Sequence, residues 1–195
     1  MTMTDTQGQI LDAVLTVIVR QGIRSLSFRA VAAEADVALG LLNYHFDDKE
    51  SLIRAAYQHA AQRLMESSRT AATGTGSRDQ AVRSFIRGVF GQEFLDADYL
   101  ALRLSLWSVA RSEPTVAAIN AEIYETYLAE LSALIAAARP ELEGTHSLRR
   151  ASDVMTIQLG LWVAWTLRHD DEALERCLKR CESIALDDDM PETSK

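Results

Sequence analysis

The chain has few of the residues that interrupt helices, with 3 Pro and 9 Gly among its 195 residues. Proline breaks helix interiors and glycine weakens them, so this scarcity favours a mostly helical chain. Apolar residues recur at three- and four-residue spacing, and no segment alternates convincingly with the two-residue period of a strand. The sequence therefore predicts an all-α fold, in one large domain or two small ones.

Long apolar runs and a basic leader are absent as well. No apolar run approaches the roughly 20 residues that cross a bilayer. The N-terminus, MTMTDTQGQ, has neither the basic start nor the apolar middle of a signal peptide. We therefore expect a cytoplasmic protein without a membrane partner.

Positive charge is also scarce, with 20 Lys and Arg against 28 Asp and Glu and a formal net charge of −8. This balance argues against a protein that coats nucleic acid or anionic membranes without specificity. It is compatible with a site-specific DNA-binding protein, because only the face against the phosphates has to be favourable.

Signals of an active site or a metal centre are missing. The two cysteines, Cys177 and Cys181, lie four residues apart without further zinc ligands nearby, among apolar residues at helical spacing. The sequence has no Gly-rich phosphate loop, no His/Glu metal pair and no nucleophile with a plausible base. We predict no catalytic residue, no metal and no cofactor, and an enzyme is the less favoured class.

Two short helical patterns separated by a tight turn lie between Ser25 and His45. Ser25 or Ser27 can cap the first helix, and Asp36 tolerates the left-handed conformation that a tight turn often needs. Such a pair is a helix-turn-helix motif, whose second helix can enter the major groove of DNA. We predict a three-helix DNA-binding domain over 1–50 and a ligand-binding and dimerisation domain, a helical bundle, over 51–195. A helix at 49–70 would connect them.

The second short helix and its flanks supply the candidate DNA contacts. Asn43 can pair with a base edge, preferring adenine, while Tyr44 and His45 can donate hydrogen bonds to phosphates. Gly40 allows a close approach of the backbone, and Lys49 adds a cation. The predicted DNA-binding residues are Ser27, Arg29, Ala38, Leu39, Gly40, Leu41, Asn43, Tyr44, His45 and Lys49.

The segment GLLNYHFDDKESLI and the residues before it resemble a known family. The family pattern has Ser or Thr opening the second helix, then IAxxAGVS, then xGxxYxHFxxKxxL. The matching residues are Ser27, Val31, Ala32, Ala35, Val37, Gly40, Leu42, His45, Phe46, Lys49 and Leu52. The chain is thus similar to the tetracycline-repressor (TetR) family of bacterial regulators, and LWSVARSEP and IQLGLWVAW resemble its choline/betaine-type (BetI-like) subgroup.

The chain departs from the family pattern in the turn. Asp36 stands where the family usually has Gly, a swap that costs some strain. Ala38 stands where the family usually has Ser, so the second short helix lacks a side-chain N-cap, typically worth ~1 kcal/mol.

The resemblance implies a small-molecule effector bound in the C-terminal part, where aromatic and apolar residues are concentrated. A pocket between the helices of a bundle is the usual place for a ligand, and aromatic rings with a carboxylate could cage a quaternary ammonium. Ordinary core packing is an equal alternative for each residue. The predicted ligand-binding residues are Phe90, Glu93, Phe94, Trp107, Tyr124, Met155, Gln158 and Trp162.

The last two helical patterns predict a homodimer interface. Residues 154–167 are apolar almost all round, which demands burial on more than one side. The predicted interface residues are Trp165, Leu174, Cys177, Leu178 and Cys181. A two-fold dimer would set the two DNA-reading helices about one DNA turn apart, ~34–36 Å or somewhat more, and so require a palindromic operator.

The sequence therefore predicts a ligand-responsive DNA-binding transcriptional regulator, a repressor released from a palindromic operator by a small-molecule effector. The alternative is a helical ligand-binding dimer with weak or no DNA binding. It is favoured by the charge of residues 1–50, which carry four Lys and Arg against seven Asp and Glu.

This charge balance predicts a shallow salt dependence of DNA binding. Six to ten phosphate contacts by basic residues cost about 10³–10⁵ in affinity between roughly 50 and 200 mM salt. We expect a loss below about 10³-fold, because neutral donors and helix N-termini replace most of the cations. A binding titration across this salt range measures it, and a loss above 10³-fold contradicts the prediction.

Overall fold

The computed structural model describes residues 3–110, 113–142 and 144–187, and every regular element in these ranges is helical. The predicted all-α fold is therefore confirmed. Short 3-10 turns lie at Ile23–Ser25 and Gln92–Phe94. In chain order the helices are α1 (Met3–Gln21), α2 (Phe28–Glu34), α3 (Leu39–His45), α4 (Lys49–Ala72), α5 (Arg78–Gly88), α6 (Ala97–Ala110), α7 (Pro114–Ala138), α8 (Gly144–Arg168) and α9 (Asp171–Leu186). None of these helices, within the described ranges, is both long and apolar enough to cross a membrane.

The chain divides by its packing into two compact units. The first comprises Met1–Arg63 with Asp96–Ile123, and the second comprises Leu64–Leu95 with Tyr124–Lys195. The long helices α4 and α7 contribute residues to both. The predicted division at residue 50 separates DNA-binding from ligand-binding residues, and it stays a prediction about function.

The first unit is built on α1. Its side chains Ile10, Val14 and Ile18, four residues apart, are completely or almost completely buried. They share one continuous core with residues of α2, α3, α4, α6 and α7. This core orients the short helices that follow α1.

Local signals set the ends of α1 and α2. Gly22 follows α1 with a φ of 80°, a left-handed conformation that glycine adopts without strain. Ser27 caps α2 by accepting a hydrogen bond from the Ala30 N–H at 3.2 Å. Asp36 ends α2 with a φ of 52°, and the Val37 N–H donates to the Ala32 carbonyl at 3.0 Å, as in a Schellman motif. The turn therefore keeps its shape with Asp in place of Gly.

The second unit packs α5, α8 and α9 with parts of α4 and α7. Its core contains Phe85 and Ile86 of α5, Leu131 and Ile135 of α7, and Val154 of α8, all fully or almost fully buried. Glu182 of α9 is also buried, where Arg83 and Arg87 of α5 both donate to its carboxylate. An ion pair between two helices thus accompanies the apolar packing.

The helical pattern over 78–94 predicts one continuous helix, and the structure corrects this. Helix α5 ends at Gly88, and a 3-10 turn follows at Gln92–Phe94. Glycines at 88 and 91 weaken the helix by about 1 kcal/mol each relative to alanine. The Ser67 hydroxyl donates to the Gly88 carbonyl at 3.1 Å, so a side chain of α4 satisfies a carbonyl at the helix end.

The close approach of α4 and α5 depends on the missing side chain of Gly88. A Cβ atom at this position would lie 2.5 Å from the Ser68 Cα, which is backbone and cannot turn aside. We expect Gly88→Ala to lower the free energy of unfolding by about 1–3 kcal/mol. Urea-induced unfolding followed by circular dichroism measures the change.

The matched control is Gly8→Ala in α1, where a Cβ meets nothing within 4 Å. Alanine favours helix over glycine by about 1 kcal/mol, so this variant should be unchanged or slightly more stable. Equal effects of the two substitutions would contradict the close-approach explanation.

Candidate DNA-binding surface and buried polar cluster

Helix α3 has one buried face and one exposed face. Leu42 is 0% exposed, and Phe46, which follows the helix, is also buried. Leu39, Gly40, Asn43 and Tyr44 are exposed, with Leu39 next to the buried face and the other three further round the helix. We call these four residues the outer face of α3. Tyr44 is 76% exposed, so its ring and hydroxyl project into solvent.

The other predicted DNA-binding residues of the motif surround this face. Ala38, Ser27 and Arg29 are exposed, and Ala38 begins α3 without a side-chain cap, as the sequence predicts. Leu41 is partly buried against the core of the unit. His45 is half-buried with its ring edge-on to Tyr44, 5.1 Å between centroids.

The start of α4 is held by a reciprocal pair of hydrogen bonds. The Ser51 N–H donates to the Asp48 carboxylate at 2.7 Å, and the Asp48 N–H donates to the Ser51 hydroxyl at 3.2 Å. This is the geometry of a capping box, and the hydrogen bond from the Ser51 backbone lowers the pKa of the Asp48 carboxyl. Lys49, next in the chain, donates from Nζ to the Arg24 carbonyl at 3.1 Å. The Lys49 ammonium therefore already has a hydrogen-bond acceptor, a backbone carbonyl beside the helix-turn-helix motif.

Two contacts attach α2 to α1. Gln9 donates from Nε2 to the Ala35 carbonyl at 3.0 Å, at the end of α2. Arg20 pairs with Glu34 at 3.1 Å. Together with the buried Val31, these contacts hold the first helix of the motif, so that α3 is presented from a fixed support.

The predicted ligand-binding residues fall into different environments. Phe90 and Trp162 are buried with ring centroids 5.2 Å apart, so these two rings pack on each other. Glu93 is exposed, so its carboxylate does not line a buried cage. Trp107 belongs to the first unit, where the Arg103 guanidinium lies 5.0 Å from its ring centroid. The remaining four are buried or half-buried in the second unit: Phe94, Tyr124, Met155 and Gln158.

Gln158 takes part in a buried hydrogen-bond chain that the sequence analysis did not identify. The Tyr127 hydroxyl of α7 donates to Gln158 Oε1 at 2.7 Å, and Gln158 Nε2 donates to the Ile86 carbonyl of α5 at 2.9 Å. Burial raises the pKa of the Tyr127 hydroxyl. Tyr127 lies 31 residues from Gln158 and Ile86 lies 72, so no local pattern reveals the pairing.

The predicted dimer-interface residues differ in how far the single chain buries them. Leu178 is 4% exposed and Cys181 is 0% exposed within a single chain. Burial also raises the pKa of the Cys181 thiol to about 12. Leu174 and Cys177 are half-buried, and Trp165 donates from Nε1 to the Leu95 carbonyl at 3.3 Å. The place of all five residues in a dimer stays a prediction.

A short helix, a tight turn and a second helix with an exposed polar face make the first unit a helix-turn-helix module. Comparison of the sequence with known families agrees with this class. Residues 10–56 match the bacterial regulatory proteins of the tetR family, and residues 78–186 match the C-terminal part of BetI-type transcriptional repressors. The second match alone covers more than half of the chain, so the protein belongs to the tetR family of bacterial regulatory proteins, with a BetI-type C-terminal part. Members of this family are transcriptional regulators that bind DNA and act as dimers.

Curated relatives are similar over most of their length. The HTH-type nicotine-responsive transcriptional repressor HdnoR of Paenarthrobacter nicotinovorans is 26% identical over 78% of this chain and 79% of its own. The HTH-type transcriptional regulator BetI of Burkholderia thailandensis is 24% identical over 83% of this chain and 82% of its own.

Solved structures share the fold. A TetR transcription regulator from Haloarcula marismortui aligns with a TM-score of 0.77 at 17% identity, over 94% of this chain and 97% of its own. A TetR transcriptional regulator from Legionella pneumophila aligns with a TM-score of 0.75 at 16% identity, also over 94% and 97%. At these identities the likeness concerns the fold alone.

The buried hydrogen-bond chain makes a testable prediction about stability. Gln158→Leu removes the partner of both the Tyr127 hydroxyl and the Ile86 carbonyl, and each buried group left unpaired costs about 1–3 kcal/mol. We expect the double variant Gln158→Leu with Tyr127→Phe to be more stable than Gln158→Leu alone, because the orphaned hydroxyl is then gone. Urea unfolding of the wild type, both single variants and the double variant completes a double-mutant cycle. Additive changes in the free energy of unfolding would contradict the hydrogen bond between Tyr127 and Gln158.

Proposed function

We propose that the protein is a ligand-responsive repressor that binds a palindromic operator as a homodimer and leaves it when a small-molecule effector binds. The single observation that carries this proposal is the outer face of α3. Its four residues are exposed while Leu42 anchors α3 in the core, which is the presentation that reading a major groove requires. Operator binding would place the protein in the cytoplasm, with the DNA.

The proposed DNA contacts divide by chemistry. Asn43 is suited to a base edge, whereas the Tyr44 hydroxyl and the His45 ring are suited to phosphate oxygens. Ser27, Arg29 and Lys49 would add backbone contacts from α2 and α4. Ala38 and Leu41 would shape the surface beside them.

The second unit is the proposed effector-binding part. The rings of Phe90 and Trp162 and the amide of Gln158 offer aromatic faces and a polar group inside a helical unit. Aromatic faces attract organic cations, and one relative, HdnoR, is nicotine-responsive. We therefore propose a small organic cation as the effector. Its binding would require Phe90 and Trp162 to part, which offers a way to favour a second conformation.

The proposed dimer uses the exposed side of α8 and the neighbouring residues of α9. Leu148, Val163 and Leu167 are large apolar side chains exposed on α8. Leu174 and Cys177 of α9 remain partly accessible. Apolar side chains on paired helices are the usual material of a four-helix interface.

A helical ligand-binding dimer without DNA binding is the second candidate. It is favoured by the exposed carboxylates that flank the outer face of α3, those of Asp36, Asp47 and Asp48. Phosphates would repel them, so the two candidates differ in a directly measurable property.

The test is binding of the purified protein to DNA from immediately upstream of its own gene, at moderate salt, beside excess random DNA. We expect tight, competitor-resistant binding. Tyr44→Ala should weaken it at least tenfold, because the lost hydrogen bond from the Tyr44 hydroxyl to a phosphate should cost about 1.4 kcal/mol or more. The matched control is Leu104→Ala, an exposed apolar residue of α6 in the same unit. It should bind as wild type does, and both variants should unfold as wild type does.

The absence of specific binding, to this DNA or to a genomic pool, would contradict the proposal and favour the second candidate. In a second arm, nicotine and tetramethylammonium are titrated into the complex. Release by either supports a cationic effector, and release by neither contradicts that part of the proposal.

A further inference from the structure

The outer face of α3 has an unusual chemical composition for a DNA-reading surface. Leu39 and Asn43 lie one helical turn apart on one stripe, and Gly40 and Tyr44 lie on the adjacent stripe. None of the seven residues of α3, Leu39–His45, is Lys or Arg. A base edge in contact with this face therefore meets a methyl-rich side chain and an amide rather than a cation.

The bases differ in which of these groups they accept. Guanine is most commonly read by Arg or Lys, which donate to O6 and N7, and no such side chain stands on α3. The amide of asparagine pairs with N6 and N7 of adenine, and apolar side chains contact the 5-methyl group of thymine. The available groups thus match A·T pairs.

From this we infer that the operator carries A·T pairs where α3 enters the groove, with Asn43 reading adenine and Leu39 contacting a thymine methyl. The inference rests on the proposed function and specifies the DNA that it requires. Leu39 opens α3, and residues at the N-terminal end of a recognition helix are the ones that reach base edges.

Two observations favour this role for Leu39. Its side chain is 37% exposed on a face that otherwise carries an amide, a phenol and a glycine. Burial of this apolar side chain is favourable only when another surface, such as a thymine methyl group, removes it from water. Gly40 beside it has open space around the position of its missing Cβ, so the helix backbone can come close to the base pairs.

The nearby cations lie outside α3 and are assigned to the DNA backbone. Arg29 is in the first turn of α2, and Lys49 lies at the start of α4 with its Nζ on the Arg24 carbonyl. Phosphate contacts position a protein without sequence preference, so these residues do not alter the expected base composition.

The first experiment selects binding sites from a randomised duplex pool with the full-length protein. We expect the wild type to enrich a palindrome with A·T pairs at certain positions of each half-site. Asn43→Ala and Leu39→Ala, selected in the same way, should each lose the base preference at one of those positions. An enriched palindrome in which those positions are G·C would overturn this inference and leave the proposed function intact. A pool without enrichment would overturn both.

The second experiment removes single groups from the selected DNA. Uracil in place of thymine deletes only the 5-methyl group, and 7-deazaadenine in place of adenine deletes only the N7 acceptor. Uracil at the thymine contacted by Leu39, and 7-deazaadenine at the adenine read by Asn43, should each weaken wild-type binding at least about fivefold. This is the lower end of what a specific base contact contributes. Leu39→Ala should lose its response to uracil and keep its response to 7-deazaadenine, and Asn43→Ala should do the reverse.

The matched control for Leu39→Ala is Leu104→Ala, which removes the same side chain from a site of nearly equal exposure, 38% against 37%. It should respond to both base analogues as wild type does. If Leu39→Ala and Asn43→Ala also respond to both as wild type does, the assignment of these residues to bases is wrong. Charge introduced by Leu39→Arg should move the selected pair toward G·C.

Discussion

The orientation of the proposed DNA-binding surface depends on the burial of Leu42. A helix of seven residues is too short to be stable by itself in water, so α3 must be held by packing. Leu42 is its one fully buried side chain, and complete burial of a leucine is worth about 1.5–3 kcal/mol. Because Leu42 and Phe46 are in the core, the rotation of α3 about its axis is fixed and its outer face points to solvent. Every proposed contact from the outer face of α3 follows from that orientation.

The two units use their polar groups in different ways. In the first unit, hydrogen bonds such as those of Asp48 with Ser51 and Gln9 with Ala35 fix the ends of short helices at the surface. In the second unit, Tyr127 and Gln158 place a hydrogen-bond chain inside the apolar core. A buried chain of this kind is stable only while every member is paired. The proposed effector, if it enters there, would have to replace those bonds, so Gln158 is the residue whose contacts it would change first.

Local rules were sufficient where a single residue determines a single backbone feature. The left-handed turn at Asp36 follows from residue type, and the cap of α2 is Ser27, one of the two serines that the sequence offered. Rules of this kind fail where a helix face has two candidate partners. The apolar stripe of α9 is buried at Leu178 and Cys181 within the single chain. The stripe alone does not tell a neighbouring helix of the same chain from a second subunit, so the dimer interface stays a prediction. The pairing of Tyr127 with Gln158 depends on tertiary packing that no window of sequence contains. The end of α5 at Gly88 depends both on the local glycines and on the contact from Ser67 of α4.

We propose above that the outer face of α3 lies in the major groove of an operator when the protein binds DNA. A cleaving iron chelate attached to Asp47→Cys, an exposed site just beyond α3, tests it directly in a Cys177→Ser background, with the buried Cys181 retained. We expect two symmetric cleavage clusters at positions about one or more DNA turns apart, ~34–36 Å for one turn, and none from the chelate at Leu104→Cys. Diffuse cleavage, or the same pattern from both attachment sites, would contradict it.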